Sequence, residues 1–416
     1  VPVTSVDILY EPEKIFTTQS IQLSAIVKPD NATFRTVAWS SSNEKVATVD
    51  ENGVLKALAP GTVTITATAG GVTDSFILTV VTYTSSDVVA TVDSKEFFSL
   101  RDAVAAAANG GTVVLKKNVD NVLFVEEGQK LTFDMNGFSC AAISNKGSVV
   151  VTGNGTIICD DFAIINFGTM EIRNGSFSAT SSSDISSPAV VSNAGTMIIS
   201  GGSFKAVGGF AVDVVSETTK ASLTILGGTF EARFAVCGFD SSENYGATGD
   251  LRPEISISGG EFTGTEYAIA AEDTIITISG GRFVGGTADL AAVGDSNVKI
   301  SGGVFPSKNC IETSVTSEGE SYELSGSISI SGGSFGSMIP SSYLEKGYVV
   351  VIGTGSLYNV VPASSSGDDD DDPVPVPIPS QKSDDGDDNS VAIVAVVAGC
   401  VAVAIIAILV VAMRKE

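Results

Sequence analysis

Apolar and polar residues alternate with a period of two along most of this chain, and glycine interrupts the alternation at short intervals. Period two sends successive side chains to opposite faces of an extended backbone, so the pattern predicts half-buried strands. Over residues 1–82 the runs are short, at 21–27, 46–49 and 63–67, with turns at Asn52-Gly53 and Pro60-Gly61. Strands recurring about every 8 to 12 residues between turn signals predict a β-sandwich. Trp39, the one tryptophan, falls within a strand pattern. It is expected as a core plug between two sheets, with an exposed binding residue as the alternative.

From residue 83 to 362 the chain repeats itself. Seven octets of the kind ISISGGEF end at Phe177, Phe204, Phe230, Phe262, Phe283, Phe305 and Phe335, between 21 and 32 residues apart. VVTGNGTI at 150–157 is a weaker copy. Between octets a second pattern recurs: Phe162-Ala-Ile, Phe210-Ala-Val, Phe234-Ala-Val and Tyr267-Ala-Ile. A strand-and-glycine repeat of this length predicts a solenoid of about ten coils, in which stacked neighbours share the core that one coil cannot close alone. The Gly-Gly pair permits a bend that a Cβ would obstruct, and the following Phe turns back inside. Variable intervals are loops at fixed corners, notably 240–251 and 314–326. Ser99 to Asp102 reads as a capping-box start, and Leu100, Val104, Ala107 and Ala108 form an apolar stripe. A short helix is therefore expected to cap the first coil, ahead of a first strand at 112–115.

The pattern changes after residue 362. Residues 363–390 are an Asp- and Pro-rich linker, in which the acidic run 368–372 is followed by PVPVPIP at 373–379. Residues 391–413 are uninterruptedly apolar, and Arg414 and Lys415 follow at once. A run of that length suffices for a transmembrane helix, and the basic flank predicts a cytoplasmic tail of 414–416 with the N-terminus outside. The expected partner at this end is the membrane, and the expected location is the cell surface, as a single-pass protein. The chain starts at Val1 without a signal sequence, which suggests a mature chain whose export signal was removed.

Charge and composition narrow the function. The formal net charge is -25, with 23 basic against 48 acidic residues. Such a surface repels phosphate backbones, so nucleic acid is not an expected partner. Five cysteines, Cys140, Cys159, Cys237, Cys310 and Cys400, form no CxxC and no dense framework. Cys140 and Cys159 are read as buried thiols, with a bridge between neighbouring layers as the alternative. There is no histidine. No phosphate-loop, zinc or Ser-His-Asp pattern occurs, and no metal site is read.

Two resemblances add to this reading. VAWSSSNEKVATVDENGVLKALAPGTVTITATA, residues 37–69, resembles the bacterial Ig-like group 2 domain, which implies a surface-protein module. FFSLRDAVAAAANGGTVVLKKNV at 97–119 and KLTFDMNGFS at 130–139 resemble the opening of right-handed parallel β-helix proteins of the pectate-lyase-like superfamily. SSYLEKGYVVV at 341–351 is similar to a closing coil of that fold. The resulting expectation is an all-β chain: an Ig-like β-sandwich, a right-handed parallel β-helix with a short capping helix, and one C-terminal transmembrane helix.

The superfamily includes enzymes acting on polysaccharides, so catalysis has to be weighed. Hydrolases of this kind use clustered Asp residues with Gly-His-Gly and Arg-x-Lys, and the chain has no histidine. Asp160 and Asp161 are the remaining catalytic candidates. Lyases use Ca²⁺ held on carboxylates beside an Arg or Lys base. Here Arg173, Lys205, Arg233, Arg252, Arg282 and Lys299 are scattered one per coil without an acidic triplet, and no cofactor is expected. The expected function is a non-enzymatic surface protein, an adhesin for glycans or proteins or a structural stalk. The alternative is a polysaccharide lyase or glycoside hydrolase acting on acidic glycans. Phe162, Phe210, Phe234 and Tyr267 are the binding candidates, as a sugar-stacking ladder, unless they are core residues. Asn31, Asn154 and Asn174 stand in N-x-S/T sequons and offer positions for glycosylation.

Overall fold

The computed structural model describes residues 1–180, 189–242, 246–317 and 320–363. The chain separates into two compact units, Val1–Val88 and a second that begins at Val89.

The first unit is built from short, mostly antiparallel strands. Gly61–Ala69 lies at the centre of a four-stranded sheet, between Val72–Val81 and Ala38–Ser41, and Lys14–Phe16 adds a parallel edge on Val72–Val81. Ser20–Gln22, Val54–Ala57 and Ala47–Val49 form a three-stranded sheet. Along Gly61–Ala69 the side chains alternate, so Val63, Ile65, Ala67 and Ala69 enter a core with Leu23, Leu55 and Leu78. Trp39 is only partly buried and packs on the margin of that core. The expected central plug is therefore an edge residue, because the core centre is already filled by smaller aliphatic groups.

The second unit is a coil of parallel strands with three faces. The first face carries the Ile-x-Ile part of each octet. It is a 12-stranded sheet in which Lys95–Phe97 and Ala90–Val92 run antiparallel at one end. The remaining ten strands, from Asn109–Leu115 to Ser327–Ile330, are parallel. Buried positions alternate with more exposed ones along them, as in Ile275–Ile278. The second face carries the Phe part, and the third face the Phe-Ala-Val part. The chain visits them in turn, for example Thr196–Ile199, Ser203–Ala206, Phe210–Ser216 and then Ser222–Ile225 on the first face again. Thr229–Asp240 and Glu261–Glu272 run through the second and third faces without a break.

The Gly-Gly bends work as their chemistry requires. Gly260 has φ +110°, and a Cβ there would stand 3.0 Å from the Phe262 ring that folds in beneath it. All seven octet phenylalanines are buried and in one column. Their ring centroids are 4.7 to 5.2 Å apart from Phe177 through Phe335, with interplanar angles of 4° to 16°. In-register parallel pairing brings each ring over the ring of the coil before it, as in Phe230↔Phe262↔Phe283.

A second ladder inside the coil is polar. Asn145, Asn166 and Asn193 are fully buried. The Nδ2 of Asn145 donates to Asn166 Oδ1, and that of Asn166 to Asn193 Oδ1, both at 2.7 Å. Their remaining donor capacity goes to the carbonyls of Thr169, Thr196 and Ser222. A buried amide column is tolerable because its members are satisfied.

The start of the coil is covered by the helix Leu100–Ala107, whose N-cap Ser99 accepts a hydrogen bond from the Asp102 amide. Its buried face is Leu100, Ala103, Val104 and Ala107, so Ala103 takes the place expected for Ala108. The first parallel strand begins at Asn109 rather than 112. At the other end Tyr348–Ile352 and Tyr358–Pro362 close the second face as an antiparallel hairpin.

The expected fold class needs one correction. The sequence reading adds a transmembrane helix at 391–413. No helix among the described residues is long and apolar enough to cross a membrane, and 391–413 lies outside them. The one α-helix among the described residues, Leu100–Ala107, has 8 residues, whereas a span needs about 20. The fold is all-β with long parallel sheets.

Candidate functional site

Side chains that point outward from the third face behave differently from those of the other two. On the first face they meet solvent; Ile198 and Thr277, for instance, are exposed. On the third face they are buried as a hydrophobic cluster separate from the coil interior. That cluster holds Phe210, Val215, Phe234, Cys237, Phe239, Tyr267, Ala270, Ala288, Ala291 and Val293. The insertion hairpin Ser314–Ser317 and Glu320–Glu323 contributes Val315 and Tyr322 to the same cluster.

Strand register arranges this outer face in columns. Ala189, Phe210, Phe234, Tyr267 and Ala288 are successive partners in the first column. The rings of Phe210 and Phe234 stack at 5.4 Å, and those of Phe234 and Tyr267 at 5.9 Å. Phe162 is half-buried against the same cluster. Three of the four recurring aromatics, Phe210, Phe234 and Tyr267, thus come together as a ladder. Their faces are closed: Phe210 is 0% exposed, Phe234 1% and Tyr267 3%. Polar groups lie across the ladder. Arg233 stands 5.2 Å over the Phe234 ring and donates to Glu266 Oε1 at 2.7 Å. The Tyr267 hydroxyl bonds to Glu312, and burial pushes both the phenol and the Glu312 carboxyl up.

The second column contains Ser192, Asp213, Cys237 and Ala270. Glu272 follows on the same strand as Ala270 and pairs with Phe239. Asp213 is buried, and its Oδ1 has no hydrogen-bond partner. Glu272 Oε2 is likewise buried and unpartnered. Burial, reinforced by the Glu217 charge, pushes Asp213 up to about 8, against a hydrogen bond from Ser192. Burial and Asp273 push Glu272 up to about 7. Cys237 lies close to both acids; burial, then their charges, raises its thiol well above the ordinary range, so it is not a thiolate nucleophile. The sequence reading missed these two buried acids. In the alternating pattern, Asp213 reads as an ordinary outward polar residue.

The catalytic candidates lie elsewhere. Asp160 and Asp161 are exposed on the bend between Thr156–Cys159 and Ile164–Asn166. Asp160 Oδ1 accepts from the Thr180 hydroxyl at 3.2 Å. Neither carboxylate forms an ion pair among the described residues. Five of the six basic residues named above are engaged in pairs: Arg173 with Glu171, Lys205 with Glu231, Arg233 with Glu266, Arg252 with Asp250 and Asp295, and Lys299 with Glu345. Among the described residues no group of three or more Cys, Asp or Glu side chains is placed to hold a metal ion.

Cys140 and Cys159 are free thiols, each pushed up to about 12 by burial first of all. Cys400 lies outside the described residues. The sequon residues Asn31, Asn154 and Asn174 are all exposed. The last two occupy the bend on neighbouring coils, where Asn174 Nδ2 donates to Asn154 Oδ1 at 2.6 Å.

Fold and site together define a repeat-built, all-β protein with an Ig-like entry module. Residues 2–80 match the bacterial Ig-like domain (group 2) family. The chain is 55% identical over 51 residues to a 3-O-alpha-D-galactosyl-alpha-L-arabinofuranosidase of Bifidobacterium longum subsp. longum, covering 12% of this chain and 4% of that one. It is 45% identical over 64 residues to an uncharacterized protein of Clostridium acetobutylicum, covering 15% and 7%. An alpha-L-arabinofuranosidase of Bifidobacterium longum is 32% identical over 120 residues, covering 27% and 11%. The chain therefore spans only a small part of the relatives it matches.

Proposed function

We propose that this chain is a non-catalytic scaffold of the cell exterior, working in a glycan-rich setting. The observation that carries the reading is the closed aromatic ladder. Three of the four recurring rings, Phe210, Phe234 and Tyr267, are spent on packing the third face, while Asp160 and Asp161 are exposed and form no ion pair among the described residues. Catalysis needs an acid and a base positioned on one reacting centre. The Ig-like match and the arabinofuranosidase relatives support a glycan-related setting. The hydrolase reading rests on those relatives' names, and this chain covers 4% and 11% of their lengths.

The test is to incubate the purified full chain with arabinan, arabinogalactan, pectin and alginate, with and without Ca²⁺, and to measure new reducing ends and unsaturated products. No product above the no-protein control is expected. Turnover that disappears in Asp160→Asn or Asp161→Asn would overturn the scaffold reading. Saturable retention on one of these glycans without turnover would assign the scaffold to the adhesin class.

A further inference from the structure

The two ends of the coil are guarded unequally. At the start the outermost strand is Lys95–Phe97, where Lys95 and Glu96 are both exposed. Charges on an edge strand oppose pairing with another chain. The last strand of the first face, Ser327–Ile330, is met by Leu344, and Glu345 donates its amide to the Ile330 carbonyl. The closing hairpin is different. Its outer strand, Tyr348–Ile352, reads YVVVI, with no charge, no proline and no glycine.

Hydrogen-bond parity shows what this strand presents. The Gly353 amide bonds to the Leu357 carbonyl at 2.7 Å, and the Ala363 amide to the Gly347 carbonyl at 2.8 Å. In an antiparallel pair, residues alternate between bonding to the partner and pointing away. With the register Val349↔Val361 and Val351↔Asn359, the residues turned to the inner strand are 347, 349, 351 and 353. The N–H and C=O groups of Val350 and Ile352 and the Tyr348 carbonyl then point outward. Among the described residues the only strand in register with Tyr348–Ile352 is Tyr358–Pro362, on the inner side.

We propose that Tyr348–Ile352 is a self-association edge, where a second copy of this chain adds its own Tyr348–Ile352 in antiparallel register about a two-fold axis. The occupant follows from self-complementarity. A two-fold through Val350 sets Val350 against Val350 of the second copy and Tyr348 against Ile352. These are β-branched and aromatic–β-branched pairs, which favour cross-strand contact. The outward groups of 348, 350 and 352 are the ones this register joins. Stacking on the opposite end of a second copy would instead set Lys95 and Glu96 against valines. Five residues from each copy make a small isologous contact, so the dimer dissociates on dilution. The net charge of -25 opposes it, so added salt strengthens it.

The experiment is sedimentation equilibrium of the full chain across a hundredfold concentration range at two salt levels, in a nonionic detergent that keeps the apolar run 391–413 dispersed. A monomer–dimer equilibrium is expected. Ile352→Pro removes an outward N–H without touching the intramolecular ladder. It should weaken the dimer at least tenfold and leave the melting temperature unchanged. Ile352→Thr keeps the amide and should keep the dimer. Val351→Pro, which removes an inward N–H, should lower the melting temperature. A monomer at every concentration, or a dimer equally strong in Ile352→Pro, would overturn the proposal.

Discussion

Phe262→Ala is expected to be among the most damaging single substitutions in the repeat unit. Phe262 is 1% exposed and sits mid-column, 4.8 Å from Phe230 on one side and 4.8 Å from Phe283 on the other. Truncating a fully buried phenylalanine costs about 3 to 5 kcal/mol, from lost transfer energy and the cavity left behind. The stacking of two flanking rings adds to burial, by about 0.5 to 1.5 kcal/mol for each pair. The backbone cannot collapse to fill the gap, because each coil is held at the strand spacing by its parallel neighbours. In a solenoid each coil leans only on the next, so the defect divides the column into Phe177–Phe230 and Phe283–Phe335. Calorimetry and urea unfolding should show the loss. Glu261→Ala, on the same strand but exposed, is the comparison and should stay within about 0.5 kcal/mol. Equal effects of the two substitutions would mean that the stack does not hold the coil together.

Much of this fold is written plainly in the chain. Period-two alternation and the Gly-Gly-x-Phe octets locate the first and second faces, because inward Ile and Phe recur at fixed places relative to a bend. Other features are present in the sequence but read ambiguously. Asn145-Lys-Gly, Asn166-Phe-Gly and Asn193-Ala-Gly recur once per coil. Single polar residues in an alternating strand look solvent-facing, so the buried amide ladder is not legible from the pattern alone. The third face is harder still. Its outward residues, such as Phe210, Asp213 and Phe234, are buried only because something packs over them, and the insertion hairpin bearing Val315 and Tyr322 is part of that cover. Local periodicity reports which side a residue faces, not whether a distant insertion returns to cover that side. For the same reason the aromatic ladder is legible as a ladder, while its exposure is not. The apolar run 391–413 is the opposite case: its length and composition are legible, yet no membrane-crossing helix is shown among the described residues.

Asp213→Asn is expected to stabilise the protein at mildly alkaline pH and to flatten its pH profile. The folded carboxyl titrates at about 8 against an ordinary value of 3.8, so the native state holds a proton that the unfolded chain releases. Below about pH 4 both states are protonated and the group has no effect. As pH rises from 4 to 8 the unfolded state loses its proton first, so stability falls across that window. A tenfold difference in proton affinity between the folded and unfolded chain is worth about 1.4 kcal/mol, which sets the loss on the order of 6 kcal/mol across the whole window, of which about 4 kcal/mol falls between pH 5 and pH 8. Glu272 acts in the same direction, with a loss that ends near its folded value of about 7. The groups that face Asp213 explain why no counter-charge intervenes. Ser192 gives one hydrogen bond, Glu217 is a like charge, Cys237 is a neutral thiol, and Oδ1 has no partner at all. Asparagine removes the ionisation and leaves the Ser192 hydroxyl a carbonyl oxygen to bond. Urea midpoints at pH 5 and pH 8 give the test as a double difference, because carboxyls remote from Asp213 contribute equally to parent and variant. The parent should lose stability between the two pH values, and Asp213→Asn should lose much less. Parallel profiles would show that the Asp213 carboxyl ionises freely, and therefore that the outer side of the third face is open to water.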